Sequence, residues 1–147
     1  MKQNLFASVC TLCLVLLGSA VSAEAQPFTV TPSATQCSAA GGVLTLRVVF
    51  AYPGKLPSAI GLQLVLPPGW VHVSTLGPDL PQIAPVTGDT GSLGWAYVAI
   101  PENSAEFCVE LRYPAGVNAE QVLRAMSIWR PAPPENPTEL RIALAAP

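Results

Sequence analysis

Residues 106–113 alternate without a fault: Phe107, Val109, Leu111 and Tyr113 stand against Glu106, Cys108, Glu110 and Arg112. Successive side chains of a strand point to opposite faces, so this stretch hides one face and wets the other. On a helix the same apolar residues would be scattered around the cylinder and could not be buried together. The pattern recurs along the chain. Val43–Phe50 sets Leu44, Leu46, Val48 and Phe50 against Thr45 and Arg47, and Ile60–Leu66 sets Ile60, Leu62, Leu64 and Leu66 against Gln63. Between the runs stand Gly41-Gly42, Pro53-Gly54, Pro67-Pro68-Gly69, Thr87-Gly88-Asp89-Thr90-Gly91 and Pro114-Ala115-Gly116. The chain holds 16 prolines, and each removes a backbone donor and resists a helix interior.

Short strands complete the count. Phe28–Thr31 is stopped by Pro32, Trp70–Ser74 extends the third run, and Ser92–Ile100 places Leu93, Trp95 and Tyr97 on one side. Glu139–Ala143 is a last strand, with Leu140, Ile142 and Leu144 on one face. Leu76–Val86, with Pro78, Pro81 and Pro85, reads as an irregular connection or edge segment, and Pro131–Pro137 as a linker. Ala119–Trp129 is ambiguous: its start suits a helical turn, whereas Met126, Ile128 and Arg130 alternate with Ser127 and Trp129 as in a strand. The predicted fold class is all-β: an antiparallel β-sandwich, jelly-roll or Ig-like, of about eight to nine strands after an N-terminal signal peptide.

The leader is read from Lys2, an apolar stretch from Leu5 centred on Leu12–Leu17, and the small residues Gly18, Ser19, Ala20, Ser22, Ala23 and Ala25. Cleavage after Ala25, or after Ala23, fits the small-x-small rule. The expected organisation is a signal peptide over 1–25 and a single sandwich domain over 26–147. Cys10 and Cys13 leave with the leader. Cys37 and Cys108 remain, and an even pair in an exported chain predicts one disulfide. Because Cys108 shares a face with Glu110 and Arg112, that bridge is expected outside a sheet and not across the core.

Candidate chemistry is sparse. Only 11% of residues are charged and the net charge is −2, against about 25% charged in a typical soluble domain. That balance lacks the basic footprint that nucleic acid or an anionic membrane would need. Histidine occurs once, at His72, so no multi-histidine metal site exists; His72 alternates with Trp70 and Ser74, on a strand face expected to be exposed. Asp89-Thr90-Gly91 matches the aspartic-protease signature, but that chemistry needs two aspartates braced by apolar strands and sharing a proton. Here Thr87-Gly88 precedes Asp89, and Asp followed by Gly is ordinary turn chemistry. Asp79, Asp89, Glu102 and Glu106 lack calcium-loop spacing. No enzyme activity and no cofactor are expected, with a single turn-borne structural calcium left open.

Rings are the remaining candidates. An exposed row of aromatic side chains can stack on sugars or anchor a protein. Trp95 and Tyr97 follow Leu93 on a core face, whereas Trp70 after Pro-Pro-Gly and Trp129 beside Arg130 suit the surface. The candidate ligand-binding residues are therefore Trp70, His72, Trp129 and Arg130.

Gly61-Leu62-Gln63-Leu64 with Leu66-Pro67-Pro68-Gly69-Trp70, then Gly91, Leu93 and Trp95, then Phe107, Val109 and Tyr113-Pro114-Ala115-Gly116, resemble the cohesin-like sandwiches of bacterial secreted proteins. Several carbohydrate-binding modules share that architecture. The resemblance implies a jelly-roll-like sandwich of about nine strands that binds polysaccharide or protein at its surface, without catalysis. The expected function is a secreted binding or adhesion module for a polysaccharide or surface protein, with no nucleic-acid partner and no membrane association after cleavage. A structural subunit of an extracellular matrix or appendage is the alternative, and a hydrolase the remote one.

Overall fold

The computed structural model describes residues 28–52, 56–130 and 138–147. The expected leader over 1–25 and the linker over 131–137 lie outside the described residues. Eight strands follow in order: β1 (Phe28–Pro32), β2 (Gly42–Ala51), β3 (Ala59–Val65), β4 (Val71–Leu76), β5 (Ser92–Ala96), β6 (Ser104–Tyr113), β7 (Gln121–Arg130) and β8 (Glu139–Leu144). They form two four-stranded antiparallel sheets, ordered β1-β2-β6-β4 and β5-β3-β7-β8.

The alternation decides which face goes in. Leu44, Leu46, Val48 and Phe50 of β2 lie buried beside Ala105, Phe107, Val109, Leu111 and Tyr113 of β6. The second sheet offers Ile60, Leu62 and Leu64 of β3, Leu93 and Trp95 of β5, Leu123 and Ala125 of β7, and Ile142 and Leu144 of β8. Stacked apolar faces of this kind are the only way either sheet can remove its hydrophobic side from water. β7 settles the ambiguous segment as a strand, with Leu123, Ala125 and Ser127 inward and Met126 and Ile128 outward.

Both long sides of the sandwich are closed by chain that changes sheets. After β1, residues 35–37 leave β2 and pair in parallel beyond the end of β8: Ala145 N–H donates to Thr35 O at 3.0 Å and Cys37 N–H to Ala145 O at 2.9 Å. On the other side, the connection between β4 and β5 first bridges Ile83 to Ala96 of β5 in both directions, at 3.0 and 3.1 Å. It then crosses to β4, where Gly88 N–H donates to His72 O and His72 N–H to Asp89 O, each at 2.8 Å.

Gly61 sets the fit of β3 to β5. A Cβ there would stand 2.4 Å from the carbonyl oxygen of Trp95, a separation that only glycine avoids.

The expected disulfide does not form. Cys37 and Cys108 are both free. Cys37 follows the crossover into the core at 3% exposure. Cys108 sits mid-sheet on β6 between Arg47 and Leu76, on the outer face. The thiols are thus held on opposite sides of one sheet, and a bond between them would require the sheet to be unpicked. Burial also pushes the Cys37 thiol upward in pKa, away from the reactive thiolate. In folded protein produced from residue 26 onward, a maleimide reagent is expected to modify Cys108 alone, with Cys37 labelled only in denaturant. Mass spectrometry counts the adducts; an unreactive, bridged pair would refute this arrangement.

Candidate functional site

The four residues singled out from the sequence part company in the structure. Trp70 is 0% exposed and His72 2%. Trp129 is partly buried, its ring tilted against Tyr52 with centroids 5.7 Å apart. Arg130 ends β7 opposite Ala59, and its side chain lies outside the described residues. Trp70 and His72 therefore cannot meet a ligand from solution, and the exposed face expected for them is corrected.

A β-bulge follows these two residues. The pairing of β4 with β6 shifts between His72 and Ser74, so one extra residue resets which side chains point inward. Trp70 and His72 face the core before the shift, and Thr75 faces it after. Ser74, on the phase-shifted side, turns out to the Glu110 carboxylate of β6. Alternation read from the sequence gives Trp70, His72 and Ser74 one common face, and the bulge breaks that set.

Inside, the polar atoms close a circuit. His72 Nδ1 lies 3.0 Å from the carbonyl oxygen of Val86, which can only accept, so Nδ1 carries the proton. The unprotonated Nε2 then accepts from the Thr75 hydroxyl at 3.0 Å, and Thr75 Oγ1 accepts the Trp95 indole N–H at 2.9 Å. The His72 ring meets Trp95 edge-on at 5.8 Å. Trp70 Nε1 donates to Gln121 Oε1 at 3.1 Å. Every buried polar side-chain atom among the described residues has a partner. These contacts fasten the tryptophans and the 86–89 crossing; none aims at a space that a substrate could enter.

Asp89 belongs to the same fastening. Its Oδ2 accepts the Val86 N–H at 3.0 Å, closing a turn, while Thr87 Oγ1 donates to Val73 O at 2.8 Å. Asp79 holds the start of the connection. Its Oδ2 accepts the Glu106 N–H at 3.0 Å and its carbonyl oxygen the Tyr97 hydroxyl at 2.6 Å. Burial, helped by Asp79, pushes the Tyr97 phenol far above its ordinary pKa. Among the described residues no group of three or more His, Cys, Asp or Glu is placed to hold a metal ion.

The outer faces of both sheets are open to solvent, and the flatter of them belongs to β5-β3-β7-β8. Its cross-strand rows run Ala96–Gly61–Ile128, Gly94–Gln63–Met126–Glu139, Ser92–Val65–Arg124–Arg141, and Val122–Ala143. Along β5 the relief is low, because Gly94, Ala96 and Ser92 carry little or no side chain, while Gly61 of β3 is buried beside Ile128. A Cβ at Gly94 would meet nothing within 4 Å. Gln63 Nε2 donates to Ser92 Oγ across this floor at 2.9 Å, and Ile128, 41% exposed, rises beside it. Among the described residues, charge gathers at the far margin, where Glu139 accepts from Arg124 at 3.1 and 3.2 Å and from Arg141 at 3.3 Å. The hydrogen bonds of Arg124, then those of Arg141, hold the Glu139 carboxyl below its ordinary value, and Arg47 does the same for Glu106 on the opposite sheet. Small residues inside strands weaken the sequence signal for a surface, which is why this face escaped the sequence reading.

No protein-family model matches this sequence, and neither does any curated protein. Solved structures do. The collagen-binding subdomain of the Enterococcus faecalis surface protein ACE is similar at TM-score 0.52, with 5% identity over 84% of this chain and 97% of that one. The fold is an Ig-like β-sandwich. The collagen-binding domain of a Staphylococcus aureus adhesin matches 80% of this chain and 95% of its own at 10% identity and TM-score 0.49. Domains D2 and D3 of the major pilin SpaD from Corynebacterium diphtheriae match 80% of this chain and 48% of theirs at 13% identity and TM-score 0.47. These neighbours are bacterial surface β-sandwich domains, and at such identities the likeness is one of fold. The cohesin resemblance has no family match behind it.

Two consequences can be measured. Thr75→Val strands the Trp95 indole N–H and one His72 nitrogen, each costing about 1–3 kcal/mol, so urea denaturation is expected to show a loss of about 2–6 kcal/mol. A loss below about 0.5 kcal/mol, the range of an ordinary surface change, would mean the circuit is not formed. Second, Glu106 and Glu139 carry depressed folded-state values, so their pairs stabilise fully above the unfolded value near 4.5 and lose that contribution as pH falls through the folded ones. The melting temperature in low salt is expected to fall below pH 4.5 by less in Glu139→Gln than in the parent.

Proposed function

We propose that the protein is a secreted, non-catalytic binding or adhesion module, exported by its leader and presenting the β5-β3-β7-β8 face to a protein partner outside the cell. The observation that carries this reading is the open face itself: a flat, sparsely charged sheet surface with a low floor at Gly94, on a fold similar to a collagen-binding subdomain. Folds carry function on grafted surfaces, and here the interior's polar groups are all spent on structure. A low floor lets an extended backbone approach closely, while Gln63, Ser92, Met126 and Ile128 supply hydrogen bonds and apolar contact at its side.

Polysaccharide is the weaker form of the reading. Sugar recognition on a sheet leans on exposed coplanar rings, and Trp70 and Trp95 are buried. Trp129 is left, part-covered and packed on Tyr52.

The test immobilises the secreted chain and presents fibrillar collagen, a panel of other extracellular proteins, and polysaccharides. Gly94→Trp fills the floor at a position with room for it, and Ile128→Asp puts a charge at its wall. Each is expected to weaken protein binding at least tenfold, about 1.4 kcal/mol, with Arg112→Glu on the opposite sheet leaving it unchanged. Binding of polysaccharide alone, lost in Trp129→Ala, or protein binding indifferent to both face variants, would overturn the proposal.

A further inference from the structure

A sheet edge offers unpaired backbone groups, and proteins protect such edges with proline, bulges or covering chain. Two sheets leave edges at β1, β4, β5 and β8. Three are protected. The 86–89 crossing bonds to β4. Ile83 bonds to Ala96 on β5, and Pro85, next opposite Gly94 in the same register, has no N–H with which to extend that ladder. On β1 the pair Ser33 N–H to Thr45 O fixes the phase, so Phe28, Val30 and Pro32 point their backbone groups outward, and Pro32 again lacks a donor.

β8 is different. Ser127 N–H donates to Thr138 O, and stepping by two along the register with β7 gives Ala125/Leu140 and Leu123/Ile142 as the bonded pairs. The N–H and C=O groups of Glu139, Arg141 and Ala143 therefore face away from the sheet. Among the described residues, the crossover takes up this edge only at Ala145. The strand carries no proline and no register shift.

We infer that β8 pairs antiparallel with β8 of a second copy, joining the two β5-β3-β7-β8 sheets across a two-fold axis at Leu140. The charges select that partner and that register. Outward-facing residues must oppose outward-facing ones, leaving a short menu. One register sets Arg141 on the partner's Arg141 and another sets Glu139 on the partner's Glu139; both oppose like charges. The register between them sets Glu139 on the partner's Arg141 and Arg141 on the partner's Glu139, with Leu140 meeting the partner's Leu140 on the inner face. Directly opposed opposite charges stabilise a strand pair and like charges destabilise it. The contact is isologous, so each pairing occurs twice and the assembly closes as a dimer. Glu139 has acceptor sites enough for its own Arg124 and Arg141 and for the partner's Arg141. The interface is narrow, so the dimer is weak and reversible. This assembly is independent of what the open face binds.

Sedimentation of the purified secreted protein across a dilution series tests it. The parent is expected to show a reversible monomer–dimer equilibrium. Glu139→Arg alone, or Arg141→Glu alone, opposes like charges twice and is expected to weaken dimerisation about tenfold or more. An equimolar mixture of those two variants restores both attractive pairings, so it is expected to dimerise like the parent, as is the double exchange E139R/R141E. Circular dichroism checks that each variant is folded. A parent that stays monomeric at every concentration, or a dimer indifferent to the single reversals, or single variants that do not rescue each other, would overturn the inference.

Discussion

The burial of Trp70 and Trp95 between the two sheets is the contact from which the rest of this structure follows. Taking roughly 200 Å² of each ring out of water at about 25 cal/mol per Å² stabilises by about 5 kcal/mol per ring, before the entropy of ordering is subtracted. An indole brings a donor with it, and an unpaired buried donor would cancel much of that gain. Gln121 Oε1 accepts the hydrogen bond of the Trp70 indole, and Thr75 Oγ1 that of the Trp95 indole. Thr75 can serve Trp95 and His72 together only because the bulge in β4 turns it inward. The lone histidine thereby becomes a structural strut, and the residue types that might have carried chemistry are used to hold the interior.

The same economy governs the sides. A sandwich of two open sheets has edges to protect, and here one long connection, residues 77–91, does so twice. It pairs with β5 through Ile83, then crosses to β4 through Gly88 and Asp89. Asp79 and Asp89 make these crossings stable by accepting backbone N–H groups. With two edges sealed by this segment and a third lacking a donor at Pro32, β8 is left as the exposed strand. The outer face of its sheet presents Gly94, Gln63, Ile128 and Val122 to solvent.

Much of this was legible in the sequence, and the parts that were not have physical causes. Strict alternation in β2, β3, β5 and β6 gave both the strands and their inward faces, since period two has only one phase that buries Phe107 with Leu111. The prolines marked the irregular connection correctly. Alternation assumes an unbroken phase, however, and nothing in Trp70-Val71-His72-Val73-Ser74 announces a bulge; the expected exposure of Trp70 and His72 failed at that point. The disulfide expectation rested on counting two cysteines. It failed because pairing depends on which side of a sheet each thiol occupies, and the crossover at residues 35–37, which sends Cys37 inward, is a long-range event. The open face was missed for a different reason: a glycine such as Gly94 carries no side chain to mark a surface, and the low relief it leaves exists only once β5 lies beside β3.

Iodide quenching of tryptophan fluorescence tests the central claim, that the rings furnish an interior and not a binding platform. The chain has three tryptophans, and the account predicts that the Trp129→Phe protein retains a blue-shifted emission that iodide scarcely quenches until urea unfolds it. Strong quenching of the folded Trp129→Phe protein would place Trp70 or Trp95 at the surface and contradict the account.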